Sequence, residues 1–450
     1  MTQSPRPGPA DHLRAAVART PMPGSLRPAA AMLSSDSAFQ GYLAACDQGT
    51  ISLTNFAASI ILARAISATE FGMYGVGFLL LLLIRAAQEG LTVQPLNAIG
   101  PTLEGDEYRR YASSTAVLQL MLSSLTALGA LGLGWVLTAT GNDVAGPTVS
   151  AMAFVGSTWQ VQEFLRRGLY ARGRIGAAAL NTGLASLVRL AALALMAYGG
   201  GLSARAGLDA IAFGSLAAGL LGVIQIRESW TRAGLDVRGV LRANWSFGRW
   251  VSGGSIANWA ALEIYPILSA GMISFAAAGA FRALQNLVAP IHVLLRTIDT
   301  FLTPRAARRF KSGGWGGLRA LLSRVYWLSV LPAIALLAGV SLFSAPLMRF
   351  LYGEKYAGYS GMLPLLALAY GLWFAYAPLQ ACFKAIPWTR PVFLANALAT
   401  LSIFSIGLLA IHYLGLAGAI GGQALNGLLI GAVLWLTWWR ASDRGPRAAA

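Results

Sequence analysis

Apolar runs of membrane-crossing length recur along the whole chain. A window of about 19 residues finds them near 39–63, 73–97, 111–137, 147–165, 177–198, 208–226, 247–270, 277–303, 325–347, 362–383, 391–413 and 415–439. A helix needs about 20 such residues to cross a hydrocarbon core roughly 30 Å thick. The pattern therefore predicts an all-α polytopic membrane protein with about twelve transmembrane helices. Connections between the runs are short and leave no room for a soluble domain.

Composition agrees with this reading. Of 450 residues, 56% are apolar and 11% charged, against about 25% charged in an ordinary soluble domain. Of the 34 basic residues, 26 fall in seven stretches on one side of the predicted spans, and the other side holds only Arg64, Arg205, Arg349 and Lys355. The positive-inside rule then puts both termini in the cytoplasm. The same distribution explains the net charge of +17 as topology and attraction to anionic lipid. A nucleic-acid reader would gather its charge on one folded face instead, so no nucleic-acid partner is expected.

Residues 1–35 hold six prolines and four arginines and read as a flexible cytoplasmic tail. Two halves follow, 36–230 and 231–440, with a short C-terminal tail over 441–450. The first apolar run starts too far in, and is too long, for a signal h-region. Cys46 and Cys382 both lie within spans, where a thiol behaves as a small apolar residue. His12, His292 and His412 are too scattered for a metal cluster. There is no G-x-x-x-x-G-K-[ST] loop, and with only three lysines in the chain an ATPase motor is not expected. No catalytic constellation, cofactor or metal is expected, so the protein reads as a non-enzyme.

Chemistry is concentrated in the polar residues inside the spans. In the eighth, Arg282, Gln285, Ala289, His292, Arg296 and Asp299 recur at intervals of three and four, the period of one helix face, with Asn286 beside them. Seventeen steps at 1.5 Å cover roughly 25 Å, most of a bilayer core. The stripe predicts a face that is wet along nearly its whole length, with Pro290 opening the helix midway. Arg296 and Asp299 can also pair at i, i+3. Ionisable groups at this depth are costly and usually functional.

The second span carries Arg85 and Glu89 one turn apart, an arrangement open to a structural ion pair or a cavity role. The first places Gln48, Ser52, Asn55 and Ser59 on one face beside Asp47, a candidate proton or cation site or else a paired structural acid. Arg189 sits mid-way along the fifth span. Glu263 in the seventh is a further cavity candidate, with Ser255, Asn258 and Trp259. Glu163, beside Arg166 and Arg167, reads as an interfacial salt bridge. Finally, Ile66-Ser67 followed by Gly72 and Tyr74 is echoed 207 positions later by Ile273-Ser274, Gly279 and Phe281. This is a trace of two similar bundles facing each other.

Several stretches carry a resemblance across most of residues 39–440. They are Val93-Gln94-Pro95-Leu96, Glu163-Phe164-Leu165-Arg166-Arg167, Tyr170-Ala171-Arg172-Gly173-Arg174, Ala278-Gly279-Ala280-Phe281-Arg282, Pro304-Arg305-Ala306-Ala307-Arg308-Arg309 and Leu351-Tyr352-Gly353-Glu354-Lys355-Tyr356. In these the chain resembles the oligosaccharide flippases, or polysaccharide biosynthesis export proteins, of the multidrug/oligosaccharidyl-lipid/polysaccharide (MOP) superfamily. The resemblance implies two six-helix lobes in a V, opening alternately to either side of a bacterial inner membrane. It also implies a polyprenyl-diphosphate-linked glycan as cargo, gripped at its diphosphate by cavity arginines, here Arg85, Arg189, Arg282 and Arg296. A glycan polymerase and glycosyltransferases of the same pathway are the implied partners.

Such a cargo needs a hydrated pocket lined by groups such as Gln285, Asn286 and His292, and arginine meets phosphate as a bidentate fork. Asp47, Glu89, Glu263 and Asp299 are the candidates for coupling movement to an ion. The rival is a cation-coupled exporter of organic cations from the same superfamily, which would favour carboxylates and aromatic faces.

Overall fold

In a computed structural model that describes residues 36–143, 145–386 and 390–444, the chain is helical from end to end, with no strand among the described residues. The expected tails over 1–35 and 445–450 lie outside them. The first lobe comprises α1 (Asp36–Ala65), α2 (Ala68–Gln88), α3 (Gly105–Ala139), α4 (Ala145–Ala171), α5 (Ile175–Tyr198) and α6 (Ala204–Gln225). The second comprises α7 (Val237–Met272), α8 (Phe275–Val288), α9 (Pro290–Leu342), α10 (Ser344–Tyr352), α11 (Leu363–Ala385), α12 (Arg390–Ser402) and α13 (Leu408–Arg444). α9 folds back at Gly314 (φ 54) and α13 at Gly415 (φ 57), left-handed positions that glycine takes without steric cost. With those reversals counted, the described helices make twelve passes in two six-pass lobes, and residues 36 and 444 share one face, the terminal face; the opposite one is the far face.

Seven helical stretches are long and apolar enough to cross a membrane by length and composition. The helices outside these stretches include α1, α4, α7 and the 14-residue α8, and they carry much of the buried charge and amide discussed below. α3 is buried over only 11% of its most apolar window and α6 over 56%. Apolar surface on α3 is therefore left for lipid, while α6 supports the interior of its lobe.

Helix starts and crossings explain how the lobes meet. Ser67 accepts a hydrogen bond from the Glu70 amide at the start of α2, and Ser274 accepts one from the Ala277 amide at the start of α8. Both are N-caps that satisfy an otherwise orphaned amide. Five residues beyond each cap stand Gly72 and Gly279, and these two touch each other. A methyl on Gly72 would overlap the Phe275 carbonyl, and one on Gly279 would overlap the Ala68 carbonyl. The echo read from the sequence is thus a contact between its own two copies, as a pseudo-twofold axis through the α2/α8 crossing requires.

Nearer the terminal face the partner of α2 changes to α7. A π-helical turn over Glu89–Val93 continues α2, and Gly90 in it meets Gly248 of α7 backbone to backbone. Around this crossing the Asn244 amide donates to the Leu91 carbonyl at 3.0 Å, and its oxygen accepts from the Tyr111 hydroxyl at 2.9 Å. Further along, the Trp259 indole donates to the Leu79 carbonyl at 3.1 Å. As expected for Pro290, the eighth pass is broken, with α8 ending at Val288 and α9 starting at Pro290.

Gly72→Val should force the α2 and α8 backbones apart and cost about 1–3 kcal/mol, the range for overpacking a tight contact. Gly183→Ala, where an added methyl meets nothing within 4 Å, should be neutral. Thermal unfolding in detergent, followed by tryptophan fluorescence, distinguishes the two.

Candidate functional site

Most of the deep charge in the first lobe is internally balanced. On α4, Glu163 accepts hydrogen bonds from Arg166 at 2.8 Å and from Arg167 at 2.9 Å. Arg166 also donates to Asp47 of α1 at 2.6 Å, and the Tyr170 hydroxyl donates to the same Asp47 oxygen at 2.6 Å. Arg85 of α2 stands 4.0 Å from Glu163 and 3.8 Å from Glu89, and Glu89 accepts from the Gln94 amide at 3.0 Å. Three carboxylates thus face three guanidinium groups. The core members Asp47, Glu163 and Arg166 are buried, so the interfacial salt bridge expected at Glu163 is instead the hub of an interior network. A four-residue helix spacing shows Glu163 beside Arg167, but only folding brings Asp47, 119 positions away, onto Arg166.

Arg189 is handled differently. Its side chain enters the interior of the first lobe, where it donates to Asn55 at 2.7 Å and to the Tyr74 hydroxyl at 2.9 Å. It forms no ion pair among the described residues, and its buried Nε has no hydrogen-bond partner. Two neutral dipoles hold this cation in place of an acid.

Arg282 lies on the seam between the lobes. Its stem packs over Gly75 of α2, where an added methyl would meet it at van der Waals distance, and its guanidinium lies 4.9 Å over the Phe78 ring, a cation–π contact that favours a partly desolvated charge. No carboxylate pairs with it among the described residues. Tyr352 at the end of α10 and Tyr370 of α11 both lie within electrostatic reach of it, as does Asn286 of Tyr352 and Glu263 of Tyr370. Along this face, Arg282 Nε and Gln285 Oε1 are buried with no hydrogen-bond partner among the described residues, while Asn286 and the Tyr352 hydroxyl lie within hydrogen-bonding reach of each other. Buried polar atoms nearly always have partners, so one donor, the Arg282 Nε–H, and one acceptor, the Gln285 side-chain oxygen, stand on one helix face free to exchange hydrogen bonds with something else.

The described part of the eighth-span stripe is therefore polar but enclosed. Gln285 is 4% and Asn286 7% exposed, so the wet face expected along the whole helix is here packed into the α2/α8 seam. The side chains of His292, Arg296 and Asp299, and of Asn258, lie outside the described residues. The predicted residues form two groups: Asp47, Arg85 and Glu89 in the balanced network, and Arg282, Gln285, Asn286 and Glu263 at the seam. Arg189 stands apart from both.

Comparison with solved structures bears on this arrangement. An inward-facing multidrug transporter of the MATE family superposes with a TM-score of 0.74 at 14% identity, over 87% of this chain and 94% of that one. The lipid II flippase MurJ, in an inward closed conformation, gives 0.62 at 13% identity over 88% and 87%. A MOP superfamily transporter from Pyrococcus furiosus, described as having a binding pocket of reverse polarity, gives 0.64 at 15% identity over 89% and 94%. The chain has the MOP transporter fold. No protein-family model matches it, and no curated protein sequence does. With this fold and its apolar spans, it is a multi-pass membrane protein whose structural neighbours are transporters and flippases.

A buried amide cluster escaped the sequence reading. Gln88 donates to Gln119 at 3.0 Å and to the Gln160 carbonyl at 2.9 Å, and Thr92 donates to Gln119 at 2.7 Å, tying α2, α3 and α4 together just before the π-helical turn. The three glutamines sit on three different helices, and no local spacing shows that they converge.

Glu163→Gln should destabilise the protein by about 3–5 kcal/mol by leaving buried guanidinium groups uncompensated. Glu89→Gln, at a partly exposed pair, should cost less than about 1 kcal/mol. Thermal denaturation of the two purified variants provides the comparison.

Proposed function

We propose that this protein is a flippase that carries a polyprenyl-diphosphate-linked oligosaccharide across the bacterial cytoplasmic membrane by alternating access. The observation that carries the reading is Arg282, a guanidinium at the meeting of the lobes with an aromatic ring beneath it, no acid paired to it among the described residues, and its own Nε and the Gln285 side-chain oxygen unsatisfied. A diphosphate supplies the missing negative charge in the geometry that a guanidinium fork fits. The sugars supply donors and acceptors for Gln285 and Asn286. On this reading Arg296 and His292 extend the stripe by their spacing, and Arg85 and Arg189 hold their lobe in a cationic balance. Asp47, Glu89, Glu263 and Asp299 remain the residues through which an ion would couple.

We place the terminal face in the cytoplasm, where 26 of the 34 basic residues then lie. An interior-negative potential favours outward movement of an anion by about 2.3 kcal/mol per charge per 100 mV. Glycosyltransferases and a glycan polymerase are the natural partners of such a step.

The rival, export of organic cations, is less well supported by the charge arrangement. The acids of the first lobe are occupied by arginines, and the Phe78 face that would attract a cation already carries Arg282. Glu263 is the residue that keeps the rival testable, since it shares the seam.

Arg282→Ala should lower flipping of a fluorescent polyprenyl-diphosphate sugar in reconstituted vesicles by roughly tenfold or more, as expected for loss of a charge-assisted contact, at unchanged protein abundance. Arg282→Lys, which keeps the charge without the fork, should fall between. Organic-cation efflux from the same vesicles without any flipping would reverse the assignment.

A further inference from the structure

Four cations stand at the far face, and they divide by what they touch. Arg205 pairs with Asp209 one turn along its own helix at 3.5 Å, and Arg349 pairs with nearby Glu354 at 3.3 Å. The other two cross between lobes. Arg64, in the last turn of α1, donates to the carbonyls of Leu351, at 2.7 Å, and Phe350. Lys355, just beyond α10, donates to the carbonyls of Ala63 at 3.0 Å, Arg64 at 3.4 Å and Ile66.

The exchange is reciprocal. The last carbonyls of a helix have no partner within it and carry the negative end of its dipole. α1 ends at Ala65 and α10 at Tyr352, so each helix end is capped by the cation of the other lobe. Gly353, with φ 73, turns the chain back after α10. Beneath the pair, buried Tyr356 packs edge-on against Phe71 of α2 at 6.0 Å and against Tyr352 at 5.8 Å. Charge and aromatic contacts thus bridge the same gap, beside the Gly72/Gly279 crossing.

We propose that Arg64 and Lys355 form a latch that keeps the far face shut, and that both clasps release together whenever the lobes part there. The inference rests on the alternating-access part of the reading above, and not on its cargo. Among the described residues neither cation has a carboxylate to hold it in the closed position, so release returns backbone carbonyls and two cations to water and strands no buried charge. This suits a contact that is made and broken in every cycle, unlike the Asp47–Arg166–Glu163 network inside one lobe.

The test is a distance measurement. Nitroxide labels at Tyr198→Cys and Tyr413→Cys, residues 96% and 77% exposed on the two lobes, in a Cys46→Ser/Cys382→Ala background, report far-face separation by double electron–electron resonance in nanodiscs. Arg64→Met/Lys355→Met should raise the long-distance population about tenfold, within the usual range of coupling between two states. Arg205→Met should leave it unchanged. A wild-type distribution in the double variant overturns the latch. Should the double variant fail to reach the membrane, Arg64→Gln and Lys355→Gln decide, each leaving one clasp intact: lengthening in either supports the latch, and wild-type distributions in both overturn it. Glycan flipping plays no part in this readout, so failure of the cargo assignment appears only in the vesicle assay.

Discussion

A guanidinium at bilayer depth can be paired with an acid, surrounded by neutral dipoles, or kept at a surface that an anion visits, because leaving it bare in hydrocarbon is too costly. This protein uses all three. Arg166 is paired, held by Asp47 and Glu163. Arg189 is surrounded, held by Asn55 and Tyr74. Arg282 rests on an aromatic ring with its Nε unsatisfied. The third leaves its guanidinium without a dipole or acid among the described residues to hold it, at the seam where the lobes meet.

The position of Arg282 in turn depends on small residues. Its stem packs over Gly75, where an added methyl would already be in van der Waals contact with it. Gly72 and Gly279 set the approach of α2 to α8 one turn away, and their own approach is fixed by the serine caps that start both helices at matched positions. A cap, a glycine five residues on and an arginine one turn further form one register along α8. The same register along α2 places Phe78 and Trp259's acceptor Leu79 next in line.

Much of this was legible in the sequence because transmembrane burial leaves a simple imprint. Twelve apolar runs, the charge asymmetry of the loops and the three-and-four spacing of Arg282, Gln285 and Ala289 each report local physics. What could not be read was convergence between distant segments. Glu163 looked interfacial because its helix end is rich in arginine, yet α1 brings Asp47 over that end and closes it from solvent. The Ile66-Ser67…Gly72 echo suggested two related bundles, though nothing in it said that the copies touch. Arg64 and Lys355 looked like ordinary loop cations, since their acceptors are backbone carbonyls, which leave no trace in residue identity.

The latch and the candidate site meet at one short helix. α10 is nine residues long. Its carbonyls at Phe350 and Leu351 are held by Arg64, and its last residue, Tyr352, has its hydroxyl beside Asn286 and within reach of Arg282. A diphosphate drawn to Arg282 would therefore act on the residue next to the one whose carbonyl closes the far face. Coupling over so short a path needs no long network of side chains, only an element with two positions that both sites bias. α10, bounded by a glycine turn and clasped by two cations that can be hydrated on release, has the features of such an element.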